Sequence, residues 1–216
     1  MWELETNMTA LLEPIEHVHL DALRELVNVG TGHAAKALEE MTAGRFWLTA
    51  PSAGITALNE FHEMMGGPEA PVVGIYMPVT GDLRGHMAYL MRVEVAEKMK
   101  TVLCSTAELE DTQWDDVGDS VFTEVSNVIL SSFLNALADM TGMTLHSNVP
   151  MMAVDMADAL INSVASASEA IGSHHLTVAV RLREERNGLD SMIVLIPEPA
   201  SLPLLFERLG LEAMDG

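Results

Sequence analysis

The residues Asp21-Ala22-Leu23-Arg24-Glu25-Leu26-Val27-Asn28 return in altered form as Ser120-Val121-Phe122-Thr123-Glu124-Val125-Ser126-Asn127, 99 positions along the chain (120 − 21 = 99). Pro51 and Pro150 keep the same interval (150 − 51 = 99). Across residues 21–51, eight of the 31 pairs at this offset are identical. That is roughly four times what composition alone would provide, as expected of an internal repeat. A duplication keeps what folding needs and lets the surface drift. Here the kept positions include a carboxylate and an amide that a helix core does not want.

Around the repeated octets the apolar spacing is helical, over about 16–43 and about 116–142. Leu20, Leu23, Val27, Gly30, Ala34, Ala37, Leu38 and Met41 gather on one side of the first helix. Phe122, Ser126, Ile129, Phe133, Ala136, Leu137 and Met140 do so on the second. Gly30 and Ala34 lie mid-stripe, where small side chains permit a close helix crossing. Each helix should be followed by a short extended segment, 46–50 and 144–149, ended by its proline, which cannot donate to a ladder. Hairpins are expected at 72–79 with 86–91, turning through Thr80-Gly81-Asp82, and at 176–182 with 191–196, turning through Asn187-Gly188. Helical segments at 94–103 and 199–209 close the two units.

The expectation is an α+β fold. Two repeats, about 16–104 and 116–209, are joined by an acidic linker at 106–116. They form one domain with pseudo-two-fold symmetry, in which a mainly antiparallel sheet packs with two long helices. Neither amphipathic helix can bury its apolar side alone, so the repeats must share a core.

A chain of 216 residues with 49% hydrophobic content can build that core. Its 32 acidic against 11 basic residues leave a formal net charge of −21. Phosphate backbones need a basic stripe, so this balance argues against nucleic acid, and equally against an anionic membrane surface. It fits solubility, or steering toward a basic or metal-bearing partner. The lone cysteine, Cys104, allows no internal disulfide and points to a reducing compartment. An acidic N-terminus gives no signal peptide, and no run of about eighteen uninterrupted apolar residues offers a transmembrane helix. A cytoplasmic protein is expected.

Opposite the apolar stripe, Asp21, Glu25, Asn28, Gly32 and Lys36 share one helical face, and Ser120, Glu124, Asn127, Ser131 and Asn135 share the other. Wet helix faces would explain one such set. Two sets that both keep Asn in mid-helix, where it is a mediocre former, ask for more. The small residue one turn on, Gly32 or Ser131, leaves room for another protein's backbone. A carboxamide both donates and accepts, so it can hold a water in line with a phosphorus without being a strong base. In phosphoryl transfer an amide that orients the attacking water is a known device. Glu25 and Glu124 would pair with a cation on the partner. Neither copy supplies a metal cage, a Walker loop or a nucleophile–base pair, so the metal and the phosphoryl group would come from the partner. His17 with His19, and His174 with His175, lack two further ligands at suitable spacing, and no metal site is expected. Cys104 reads as a small apolar filler.

The pattern Asp/Ser-x3-Glu-x2-Asn, followed after 22 residues by Pro, resembles the signature of the CheC/CheX/FliY phosphatases of bacterial and archaeal chemotaxis. The flanking Glu25-Leu-Val-Asn-Val-Gly-Thr-Gly-His-Ala-Ala-Lys-Ala-Leu and Asn127-Val-Ile-Leu-Ser-Ser-Phe-Leu-Asn-Ala-Leu-Ala-Asp-Met-Thr-Gly are similar too, and the likeness spans about 16–205. Two intact copies with no appended module resemble the CheC branch more than single-copy CheX or FliY with its flagellar-switch domain. The resemblance implies hydrolysis of the aspartyl phosphate on the response regulator CheY. Asn28 and Asn127 would orient the water, and Glu25 and Glu124 would hold the regulator's lysine. Asp21, Gly32, Ser120 and Ser131 would border the docking faces. The regulator would bring its own Mg²⁺, no cofactor would be needed, and CheD would be a further partner. His33 departs from the Asn that relatives often carry there. A non-catalytic module that binds CheD or sequesters phosphorylated CheY, or a duplication with no ligand at all, remain the alternatives.

Overall fold

Each half of the chain gives its first strand to the other half. The protein is described by a computed structural model over residues 17–42, 44, 48–55, 63, 65–106, 114–167, 178–184 and 189–210. Helix α1 (His17–Met41) leads to β1 (Leu48–Ile55), the hairpin of β2 (Pro71–Gly81) and β3 (Gly85–Arg92), and α2 (Val93–Thr106). The second half runs α3 (Trp114–Thr141), β4 (Leu145–Ser147), β5 (Met151–Met156) and α4 (Ala157–Ala167). It ends with β6 (Val178–Glu184), β7 (Leu189–Pro197), a 3-10 turn at Pro199–Ser201 and α5 (Leu202–Arg208).

The strands form one sheet in the order β1-β6-β7-β3-β2-β4, with β5 also on β2, and every pairing is antiparallel. Exchanging β1 with β4 and β5, β2 with β6, and β3 with β7 reverses that order onto itself. The pseudo-two-fold therefore passes between β3 and β7. Because β1 pairs with the second hairpin, and β4 and β5 with the first, neither half completes its edge alone.

The prolines do not end their strands as expected. β1 runs through Pro51, and the second copy resumes as β5 directly after Pro150. Thr49 faces Arg183 while Ser52 faces Arg181, so three steps on β1 oppose two on β6. Ser147 faces Val79 while Met151 faces Tyr76, again one residue more on the proline-bearing side. Both prolines thus sit in one-residue bulges on edge strands, where the missing N–H removes no ladder bond. The amide N–H and the side-chain amide of Asn148 both donate to Pro78 O, at 3.1 and 3.3 Å, across the second bulge.

Strand alternation divides the core. Val73, Ile75, Met77, Met87, Tyr89 and Ile193 point to the side of the long helices. Val72, Ala88, Leu90, Met192 and Val194 point to the other, where Met65 and the Ala157 and Ile161 side chains of α4 meet them. Helix α4 was not foreseen in the sequence. The acidic linker is also shorter than expected: α2 runs to Thr106 and α3 starts at Trp114, which makes Asp115 and Asp116 helical. Residues 107–113, the turn at Asn187-Gly188 and the pair His174-His175 lie outside the described residues. Helix α3 carries, at Gly118–Thr141, a stretch long and apolar enough by length and composition to cross a membrane. Its buried side chains, among them Phe122, Ile129, Phe133 and Leu137, belong to the core that α1 and the sheet share.

Tyr89 is buried on β3 and shares a 3.1 Å hydrogen bond with Ser191. Burial pushes its phenol up to about 12, against the opposing pull of the Ser191 bond. A raised folded-state pKa gives stability that is complete below the unfolded value of 10.0 and is lost as pH climbs through about 12. Urea unfolding at stepped pH should therefore show stability falling across that window. Tyr89→Phe should flatten the fall, and an unchanged profile would contradict this assignment.

Candidate functional site

Helices α1 and α3 carry the repeated residues, and their mutual packing aims both faces outward. The crossing is tight at Gly30, where a Cβ would stand 2.8 Å from the Phe133 ring. Gly30 aligns with Ile129 and Ala34 with Phe133 (129 − 30 = 133 − 34 = 99), and all four are buried. The first copy supplies holes where the second supplies knobs, a complementarity that two identical helices could not reach.

The C-terminal ends of the two helices match. Thr42 Oγ1 donates to Leu38 O at 2.7 Å and Thr141 Oγ1 donates to Leu137 O at 2.7 Å. The turn between β2 and β3 then locks the end of α3. Thr144 N donates to Asp82 Oδ2 at 2.8 Å, and Asp82 N donates to Thr144 O at 2.9 Å. This approach needs Gly81, at φ 114°, because a Cβ there would stand 2.2 Å from Thr144 O. At the other end, Lys100 of α2 bonds Asp119 at 2.9 Å and Glu97 at 2.6 Å, one residue before Ser120. Burial pulls the Lys100 ammonium down, yet its hydrogen bonds and charge pairing with Glu97 and Asp119 outweigh this and leave it above the usual lysine value.

These contacts sort five of the eight identities shared by the two copies. Leu38/Leu137 fill the core, Thr42/Thr141 close the helices and Pro51/Pro150 sit in the bulges. Glu25/Glu124 and Asn28/Asn127 do none of this. Glu25, Asn28 and Glu124 are exposed, and Asn127 is half-buried. Neither glutamate forms an ion pair among the described residues. Each face therefore presents a free carboxylate one helical turn from an amide, a surface able to accept a cation and to bind a water.

Sequence reasoning missed two features of the faces. Asp21 is engaged by Arg24 at 3.1 Å, an i,i+3 pair on exposed helix that the spacing alone could have revealed. Its carboxylate is partly neutralised before any partner arrives. In the second copy Ser131 Oγ donates to Asn127 Oδ1 at 3.4 Å, where the first copy has Gly32. Ser120 and Gly32 are exposed and Ser131 is half-buried. His33 is exposed beside Gly32, and Lys36 lies 3.9 Å from Glu40. No group of three or more His, Cys, Asp or Glu that could hold a metal occurs among the described residues.

Gly32 differs in kind from Gly30. A Cβ at Gly32 would meet nothing within 4 Å among the described residues, so packing among them does not require glycine there. A mid-helix glycine costs about 0.5–1 kcal/mol relative to alanine. Gly32→Ala should raise the melting temperature by about 2 °C in calorimetry. A drop instead would show an internal role for this glycine.

No family model matches the chain. It is 28% identical over 205 residues to CheY-P phosphatase CheC of Bacillus subtilis (strain 168), covering 93% of this chain and 98% of that protein. Among solved structures, FliY of Thermotoga maritima superposes with a TM-score of 0.66 at 16% identity, over 91% of this chain and 98% of the other. CheX in a CheX-CheY-BeF3-Mg+2 complex from Borrelia burgdorferi gives a TM-score of 0.51 at 14% identity, over 78% and 95%. The two structural likenesses establish the fold.

Proposed function

We propose that this chain, similar over 93% of its length to CheY-P phosphatase CheC of Bacillus subtilis, is a cytoplasmic phosphatase of the CheC/CheX/FliY kind that acts on the aspartyl phosphate of a CheY-type response regulator. One observation carries the reading. The glutamate and asparagine kept in both copies are the shared polar pairs that neither fill the core nor close a helix end. The similarity to a protein named for CheY-P dephosphorylation supplies the substrate class.

In this mechanism Glu25 or Glu124 receives the ammonium of a regulator lysine, which sets the helix against the phosphorylated pocket. Asn28 or Asn127 enters that pocket. Its Oδ1 accepts a hydrogen from a water whose lone pair faces phosphorus, and its amide N–H₂ is left to donate to a phosphoryl or backbone oxygen. The water oxygen bonds to phosphorus as the bond to the aspartyl oxygen breaks. The aspartate leaves as a carboxylate, and the water's protons end on inorganic phosphate and solvent. The regulator would bring a Mg²⁺ and with it charge neutralisation at the phosphoryl group. This chain supplies position and no cofactor of its own.

The test adds the chain at about one part in fifty to phosphorylated regulator and follows phosphate release. Turnover should clear the whole pool. A regulator bound stoichiometrically with its phosphate lifetime unchanged would replace catalysis with sequestration. CheD is proposed as a second partner on the family resemblance, and mixing the two purified proteins on a sizing column should give a complex if this holds.

A further inference from the structure

We infer that the two faces are unequal, and that the residue one turn after each asparagine sets the difference: Gly32 leaves the first site open, while Ser131 restrains the second. This rests on the phosphatase reading above and assigns a positioning role that the repeated motif itself does not contain.

The two copies differ at this point in three ways. Asn28 is exposed, whereas Asn127 is half-buried. No described residue comes within 4 Å of a hypothetical Cβ at Gly32, whereas Ser131 fills the matching volume with a side chain. The Ser131 hydroxyl also donates to Asn127 Oδ1 at 3.4 Å. That oxygen is the acceptor through which an attacking water would be held. It has two lone pairs, and one already faces the hydroxyl. At this length the bond is too weak to fix the Asn127 rotamer in a useful orientation. The hydroxyl nevertheless occupies space and an acceptor direction that an incoming water and the partner's backbone must share. Asn28 meets no such competitor among the described residues.

Stability and activity should move in opposite directions when the two residues are exchanged. Gly32→Ser adds a better helix former and Ser131→Gly removes one. A structural role alone would then raise the performance of the first variant and lower that of the second. Restraint at the site demands the reverse.

The experiment isolates each site with Asn→Ala at the other and measures kcat and KM for phosphorylated regulator, with melting temperature on the same samples. Asn28→Ala should remove most of the activity and Asn127→Ala the smaller share. In the Asn28→Ala background, Ser131→Gly should raise kcat/KM roughly five-fold, the scale of one neutral hydrogen bond, while lowering the melting temperature. In the Asn127→Ala background, Gly32→Ser should lower kcat/KM by a similar factor while raising it. Equal single-site activities, or a Ser131→Gly variant no faster than its parent, overturn the inference and leave the phosphatase reading intact. A wild-type chain without activity, or a double Asn→Ala variant as active as wild type, overturns the phosphatase reading and this inference with it.

Discussion

Phe133→Ala is expected to destabilise the fold by about 3–5 kcal/mol, the usual cost of truncating a buried phenylalanine. In a chain of this size that lowers the melting temperature on the order of 10 °C. Phe133 is fully buried and its ring lies over Gly30. Removing it empties the volume the ring fills against Gly30, which has no side chain of its own to extend into the space. Small-to-large change from the other side should hurt as well. Gly30→Ala places a methyl 2.8 Å from the ring and should cost about 1–3 kcal/mol through overpacking. In a Phe133→Leu background that penalty should shrink, since the two positions share one volume. Independent, additive costs in denaturant titration would show that the crossing is not set by this pair.

Helical periodicity exposed the long helices to within two residues at each end, because one apolar stripe decides their burial. The hairpins were legible from their turn residues, Thr80-Gly81-Asp82 and Asn187-Gly188, set between apolar runs. Helix α4 was not, since its short segment Ala157–Ala167 has no neighbour in sequence to mark it as the cover of the second core. The prolines misled for a physical reason. Proline withholds a ladder donor, but β1 and β5 are edge strands with bulges, where that loss is tolerated. Nor could sequence reveal the exchange of first strands, because pairing partners belong to the tertiary fold. At the site, the exposed placement of Glu25, Asn28 and Glu124 followed from the wheel. The Asn127–Ser131 hydrogen bond did not: spacing puts Ser131 one turn from Asn127, but its rotamer is settled only by packing.

The largest expected functional effect is that of Asn28→Ala combined with Asn127→Ala. Losing both amides should cut phosphatase turnover on the order of 100-fold, the scale on which a misplaced nucleophile slows a reaction. The fold should not suffer. Neither side chain is fully buried, and alanine is the better helix former at both positions. Docking should also persist, because Glu25 and Glu124 are untouched, so the effect should fall on kcat far more than on KM. Glu25→Ala with Glu124→Ala should do the opposite and raise KM first. This separation of roles is what an acid that grips and an amide that aims require.

The decay of phosphorylated regulator under catalytic amounts of wild-type chain and of the Asn28→Ala/Asn127→Ala variant, with binding measured in parallel, bears most directly on the proposed mechanism. The expected result is rapid decay with wild type, near-spontaneous decay with the variant, and similar affinity for both. Equal decay rates for the two proteins would contradict it.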